Sequence, residues 1–130
     1  MNKKWILEPC KNINGIDFGT DREEVRKILA IEFTEFKKSK YSKNTTDDYG
    51  YFHVFYDIHN QMEAIEIFEN IDLFVNEKKL FPSKVDDVKD IFNDAIIEND
   101  ELTSVNYSIG ATLQDGNLVT ILVGCKDYYV

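Results

Sequence analysis

Thr20-Asp-Arg-Glu-Glu-Val-Arg-Lys-Ile-Leu29 and Ser83-Lys-Val-Asp-Asp-Val-Lys-Asp-Ile-Phe92 carry one pattern at two places in the chain. Thr20 answers to Ser83, Glu23 to Asp86, Val25 to Val88, Ile28 to Ile91 and Leu29 to Phe92, each at a shift of 63 (83 − 20). A hydroxyl residue followed three positions later by a carboxylate predicts a capped helix start. Asp21, Glu23 and Glu24 place negative charge at the positive end of the first helix. Val25, Ile28 and Leu29 have the i, i+3, i+4 spacing of one apolar stripe. The next position of that stripe is Glu32, so the first helix is expected to end near Ala30. In the second copy Val85, Val88, Ile91, Phe92 and Ala95 extend the stripe, with Asp86, Asp87, Asp90 and Asp94 on the outer side.

Each helix is followed by a hairpin pattern. Tyr51-Phe-His-Val-Phe-Tyr56 and Met62-Glu-Ala-Ile-Glu-Ile-Phe68 are rich in aromatic and β-branched residues, with a turn at Asp57–Gln61. Tyr107-Ser-Ile-Gly-Ala-Thr-Leu113 alternates cleanly, and Asp115-Gly116 suits a type I′ turn before Leu118-Val-Thr-Ile-Leu-Val123. The hairpins align at a shift of 56, with Tyr51 on Tyr107, Met62 on Leu118 and Ile65 on Ile121. The connection in the second copy is therefore seven residues shorter (63 − 56). The extra residues fall in 37–50, a charged stretch without apolar period that reads as a long loop. Trp5-Ile6-Leu7 reads as a strand or an N-terminal anchor, Gly15–Gly19 as an extended approach to the helix, and Ile71, Leu73 and Val75 as a further strand.

These patterns predict one α+β domain over 1–130. It is built of two α-β-β repeat units, about 13–75 and 76–130, which share one antiparallel sheet with both helices on one face.

The 130 residues carry a formal charge of −9, from 24 acidic and 15 basic residues. Such a balance disfavours nucleic acid and favours a basic protein partner. Only Arg22 and Arg26 are arginine. The apolar fraction of 43% is that of a folded globule. The opening residues have an apolar run of three before Glu8, unlike a signal peptide, and no stretch approaches a membrane span. Cytoplasmic localisation is expected. Cys10 and Cys125 read as free thiols; whether they meet is open.

No nucleophile–base–orienter set, zinc spacing, glycine-rich phosphate loop or EF-hand pattern is present. His53 reads as a strand residue and His59 as a turn residue. The carboxylates Glu63, Glu66, Glu69 and Asp72 read as surface groups, and no enzyme activity, cofactor or metal is expected. A binding role fits better, because charge steers a partner and aromatic side chains anchor it. The candidate partner-binding residues are Asp47, Asp48 and Tyr49 in the charged loop and Asp87, Asp90 and Asp94 on the second helix. Tyr41, Tyr128 and Tyr129 are candidate surface tyrosines.

The segment Gly15-Ile-Asp-Phe-Gly-Thr-Asp-Arg-Glu-Glu-Val-Arg-Lys-Ile-Leu29 resembles the helix opening of BamE-like lipoprotein domains and of the tandem-repeat β-lactamase-inhibitor-protein fold. The whole chain, acidic and with aromatic hairpins, resembles the small cytosolic immunity proteins of bacterial polymorphic toxin systems. That resemblance implies a non-enzymatic inhibitor that neutralises a cognate basic toxin, such as a nuclease, by occlusion. It carries no binding residues over. The alternative is a small cytosolic ligand-binding or scaffold domain.

Overall fold

In the computed structural model, which describes residues 2–129, 48% of the chain is strand and 9% is helix. The expected α+β layout, with both helices on one face of a shared sheet, is overturned by two sheets of five and eight strands and two short helices. The first half of the chain forms β1 (Lys3–Glu8), β2 (Asn12–Ile13), β3 (Ile16–Asp17), α1 (Arg22–Leu29), β4 (Thr34–Phe36), β5 (Thr46–Asp48), β6 (Phe52–Tyr56) and β7 (Met62–Ile67). The second forms β8 (Ile71–Val75), β9 (Lys78–Phe81), α2 (Val85–Val88), β10 (Ile96–Glu98), β11 (Glu101–Ser104), β12 (Ile109–Gln114) and β13 (Asn117–Gly124).

The smaller sheet has the order β3-β2-β1-β8-β9, and the larger β10-β11-β12-β13-β7-β6-β5-β4. Both orders are those of a doubled unit. In the larger sheet β4 to β7 match β10 to β13, and the copies meet through antiparallel β7 and β13. Ile65 pairs with Val123 and Ile67 with Ile121, which is each residue against its neighbour's counterpart at a shift of 56. That reciprocal pairing is what a two-fold relation demands, and Glu66 against Leu122 lies on the axis. In the smaller sheet β1 and β8 pair in parallel, flanked by β2 and β9. The repeat thus begins upstream of the helix, at β1 and at β8.

A clasp between helix start and hairpin turn recurs at the shifts read from the sequence. Arg22 N donates to Asn60 O and Val85 N to Gly116 O, both at 2.8 Å. Met62 N donates to Thr20 O and Leu118 N to Ser83 O, both at 2.9 Å. These bonds explain why the expected caps do not form. The turn carbonyl takes the first helical amide, and the hydroxyls turn backward instead: Thr20 Oγ1 donates to Asp17 O at 2.7 Å and Ser83 Oγ to Leu80 O at 2.6 Å. Neither helix has a side-chain cap.

The first helix ends where Glu32 breaks the stripe, with Ala30 left-handed at φ 52°. The second stops after Val88, although its apolar stripe runs to Ala95. Asn93 and Asp94 favour turns over helix, and Asp94 is drawn away to accept from Ser104 Oγ at 2.6 Å and Asn106 N at 2.8 Å. The charged stretch 37–50 is not wholly loop, because Thr46-Asp47-Asp48 is β5, paired on both sides. The β6 alignment moves to a shift of 57: a bulge at Phe55/Tyr56 matches one at Thr112/Leu113, and the strand starts at Ile109 rather than Tyr107. Asp115 (φ 52°) and Gly116 (φ 79°) have the positive angles of the type I′ turn.

One hydrophobic cluster joins the two sheets and both helices, with Val25 and Val88 fully buried in it. Trp5 of the smaller sheet meets Phe52 of the larger edge-on, ring centres 4.9 Å apart. Such a pair adds about 0.5–1.5 kcal/mol to what its burial contributes.

Candidate functional site

Register assigns every residue of the larger sheet to a face. Val54, Ile65, Val123 and Ile109 form part of the core-facing row. The adjacent row starts with Asp48 opposite His53, continues with His53 opposite Glu66 and Glu66 opposite Leu122, and reaches Gly110 opposite Thr103. This second row faces away from the core and forms the open face.

In the first unit the open face is aromatic. The His53 ring stands edge-on to Phe68 at 4.7 Å and to Phe36 at 5.1 Å, and its Nε2 lies 3.3 Å from Asp48 Oδ1. Phe55 is beside them, with Lys38 Nζ 4.1 Å from its ring centre. What these neighbours supply is shape and charge. His53 and Asp48 would orient a proton, and the groups around them are rings rather than a nucleophile.

The end of the chain folds across the same face. Tyr128 packs on Gly124 and Tyr129 on Gly110, where a β-carbon would meet the tyrosine atoms. Burial, then the negative charges of Glu63 for Tyr128 and Glu66 for Tyr129, push both phenols up to about 12. Burial likewise pushes the Glu63 carboxyl up. Carboxylates and tyrosines therefore lie side by side on this face. A groove of about 360 Å³ lies beside it, lined by Lys38, Lys43, Phe55, Tyr56, Glu63 and Tyr128 among others.

Beneath β5 is a polar cluster that holds both arginines. Asp47, with no exposed side-chain surface, accepts from Arg26 Nε and Nη2 at 2.8 Å each, a bidentate pair. Glu35 accepts a further bond from Arg26 at 2.8 Å. Hydrogen bonding to Asp47 holds the Arg26 guanidinium charged, and bonds from Thr45 and then Arg26 hold Glu35 below the usual carboxylate range. Arg22 lies over the Tyr56 ring at 4.1 Å and donates to Thr45 O at 2.6 Å. Arg22 Nε and the hydroxyls of Tyr49 and Tyr56 have no protein partner among the described residues. Burial first, then the Asp47 charge, pushes Tyr49 up to about 12 and Tyr56 higher still.

The second unit has no such cluster. Register puts Asp47 where the second unit has Leu102, and Glu35 where it has Ile97. The first unit thus ties its edge strands to α1 by charge, whereas at the matching positions the second has the buried Leu102 and the exposed Ile97.

The six sequence-derived candidates are scattered. Asp47 and Tyr49 are buried, the former in the ion pair and the latter stacked on Phe52 at 4.9 Å. Asp48 is on the open face beside His53. Asp87 and Asp90 are exposed and Asp94 half-buried, but α2 ends at Val88, so they share no helix face. Tyr41 is 81% exposed in the loop, while Tyr128 and Tyr129 lie on the open face. Glu66 and Glu101, both near Tyr129, were not singled out for binding by the sequence reading. The alternation of β7 carried the signal for Glu66; nothing in the acidic stretch 98–101 marked Glu101.

Among the described residues no helix is long and apolar enough to cross a membrane. Comparison with protein-family models, curated proteins and solved structures finds no significant match.

Proposed function

We propose that this is a non-enzymatic protein-binding inhibitor of the immunity type, which receives a basic protein on the open face of its larger sheet. The observation that carries the reading is the company kept on that face: Asp48, Glu63, Glu66 and Glu101 around the rings of Phe36, Phe55, Phe68 and the two terminal tyrosines. Carboxylates speed association with a cationic partner, and aromatic side chains supply anchoring area. A toxin domain with a cationic active site, such as a nuclease, is the proposed target in the cytoplasm, neutralised by occlusion.

Co-expression with the product of the adjacent gene tests this. The expected result is a stable complex whose association slows with salt and with the reversals Glu66→Lys and Glu101→Lys. A complex indifferent to both, or no complex, removes the basis of the proposal. A second reading, a small-molecule-binding domain, is favoured by the groove at Phe55, Tyr56 and Tyr128. Thermal shifts against a metabolite library separate the two.

A further inference from the structure

Cys10 and Cys125 are 115 positions apart (125 − 10) and face each other across a parallel bridge between the segments that follow β1 and β13. Backbone segments bridged in this way lie about 5 Å apart, a Cα separation within the reach of a disulfide. Both thiols are free and half-buried. Cys10 holds a left-handed φ of 67°, a conformation that side chains with a β-carbon adopt at a cost. Its Sγ donates to Asn106 O at 3.5 Å and contacts Ser108 Oγ at 3.7 Å, so the first unit's Cys10 is seated on the second unit. Cys125 is the root of the tyrosine tail. Its N–H donates to Glu63 O at 2.8 Å, and its carbonyl accepts from Tyr128 N at 3.1 Å.

We propose that Cys10 and Cys125 are a redox-modifiable pair, which a low-molecular-weight disulfide such as oxidised glutathione converts to an intramolecular disulfide that fastens the root of the tyrosine tail to the segment that follows β1. The chemistry is two exchanges. The Cys10 thiolate attacks one glutathione sulfur, forms a mixed disulfide and releases one glutathione thiolate. The Cys125 thiolate then attacks the Cys10 sulfur and releases the second glutathione. Two protein thiols are oxidised, one glutathione disulfide is reduced to two thiols, and the two protons pass to the released thiolates. Burial, with the Glu63 charge behind it, pushes the Cys125 thiol up, and in the second step proximity offsets the smaller thiolate fraction. The inference is independent of any partner.

The test equilibrates the full chain across a range of oxidised-to-reduced glutathione ratios, traps free thiols by alkylation and reads intact mass and thermal midpoint. The expected product is a monomer lighter by two hydrogens, reversed by dithiothreitol. Closing so long a loop should raise its midpoint by roughly 10 °C, and the amides of Tyr128 and Tyr129 should exchange more slowly. Cys10→Ser and Cys125→Ser should each stop at a glutathione adduct without that rise. Cys10→Ala and Cys125→Ala serve if a serine variant does not fold. Persistent mixed disulfides on the wild-type chain, a disulfide between two copies, or an internal disulfide with no rise in midpoint overturns the proposal.

Discussion

Replacing Asp47 by leucine puts into the first unit the side chain that the second unit carries at the matching position, Leu102. The site itself therefore accepts an apolar residue in this fold. What does not accept it is Arg26, which loses both 2.8 Å bonds to Asp47 and keeps only Glu35 and the exposed Glu23. Its guanidinium side chain is only 17% exposed and lies over Phe33 at 4.3 Å, so water replaces few of the lost bonds. Stranding one member of a buried pair costs about 3–5 kcal/mol, a large share of the about 5–15 kcal/mol of a domain's stability. Removing both charges, as Asp47→Leu with Arg26→Met, should cost about 1 kcal/mol or less, because the desolvation of both ions is also removed. The cycle is read by guanidinium unfolding, with equal m-values as the check on two-state behaviour. Additive costs would refute the claim that Asp47 and Arg26 act as one unit, and so would an Asp47→Leu variant within 1 kcal/mol of wild type.

The two glycines under the terminal tyrosines should differ. A β-carbon at Gly110 meets the far end of Tyr129 (Cζ at 2.9 Å), whereas one at Gly124 meets Tyr128 near its own backbone (Cγ at 2.7 Å, Cβ at 2.8 Å). Gly110→Ala should thus release Tyr129 to carboxypeptidase with little loss of thermal midpoint, and Gly124→Ala should lower the midpoint itself. Alkali should unfold the protein early. Tyr49 and Tyr56 have folded values above their ordinary 10, so their contribution is complete below pH 10. It is lost above pH 10 as the unfolded chain sheds its phenolic protons first. A slope of up to about 1.4 kcal/mol per pH unit per phenol follows, measured by denaturant titration between pH 9 and 12; a flat profile, or Tyr→Phe variants with the same slope, contradicts it. Phe92→Ala should cost about 3–5 kcal/mol and Leu29→Ala, half-buried at the matching position, clearly less; equal losses would deny the stated difference in packing between the units.

What was legible in the chain was the correspondence of Thr20–Leu29 with Ser83–Phe92, not the α-β-β make-up of the units, together with the places where strands turn. Asn60, Asp115 and Gly116 marked the hairpins, and Glu32 marked the end of α1. The fold class was not legible, because two capped helix starts suggest two full helices. The hydrophobic period at Val85–Ala95 is equally compatible with a turn that buries Phe92, and the turn preference of Asn93 and Asp94 together with the pull of Ser104 and Asn106 on Asp94 decides between them. β5 was hidden for a different reason. Two of the three residues of Thr46-Asp-Asp48 disfavour strands, and the segment's place in the sheet comes from pairing on both sides and from an ion pair with a residue twenty-one positions earlier (47 − 26). Tyr51–Tyr56 is aromatic on both faces. The register splits these residues, with Phe52 and Tyr56 in the core and His53 and Phe55 facing away.

The joining of the two units through β7 and β13 is the premise on which the open face, its two-fold layout and the binding proposal all depend. Cross-strand nuclear Overhauser effects in the labelled protein measure it directly. Short backbone proton contacts are expected between Ile65 and Val123 and between Ile67 and Ile121, in antiparallel register about Glu66 and Leu122. Contacts of β7 with any strand other than β6 and β13, or the same pair shifted by one residue, would contradict it, since a one-residue slip turns every side chain to the opposite face.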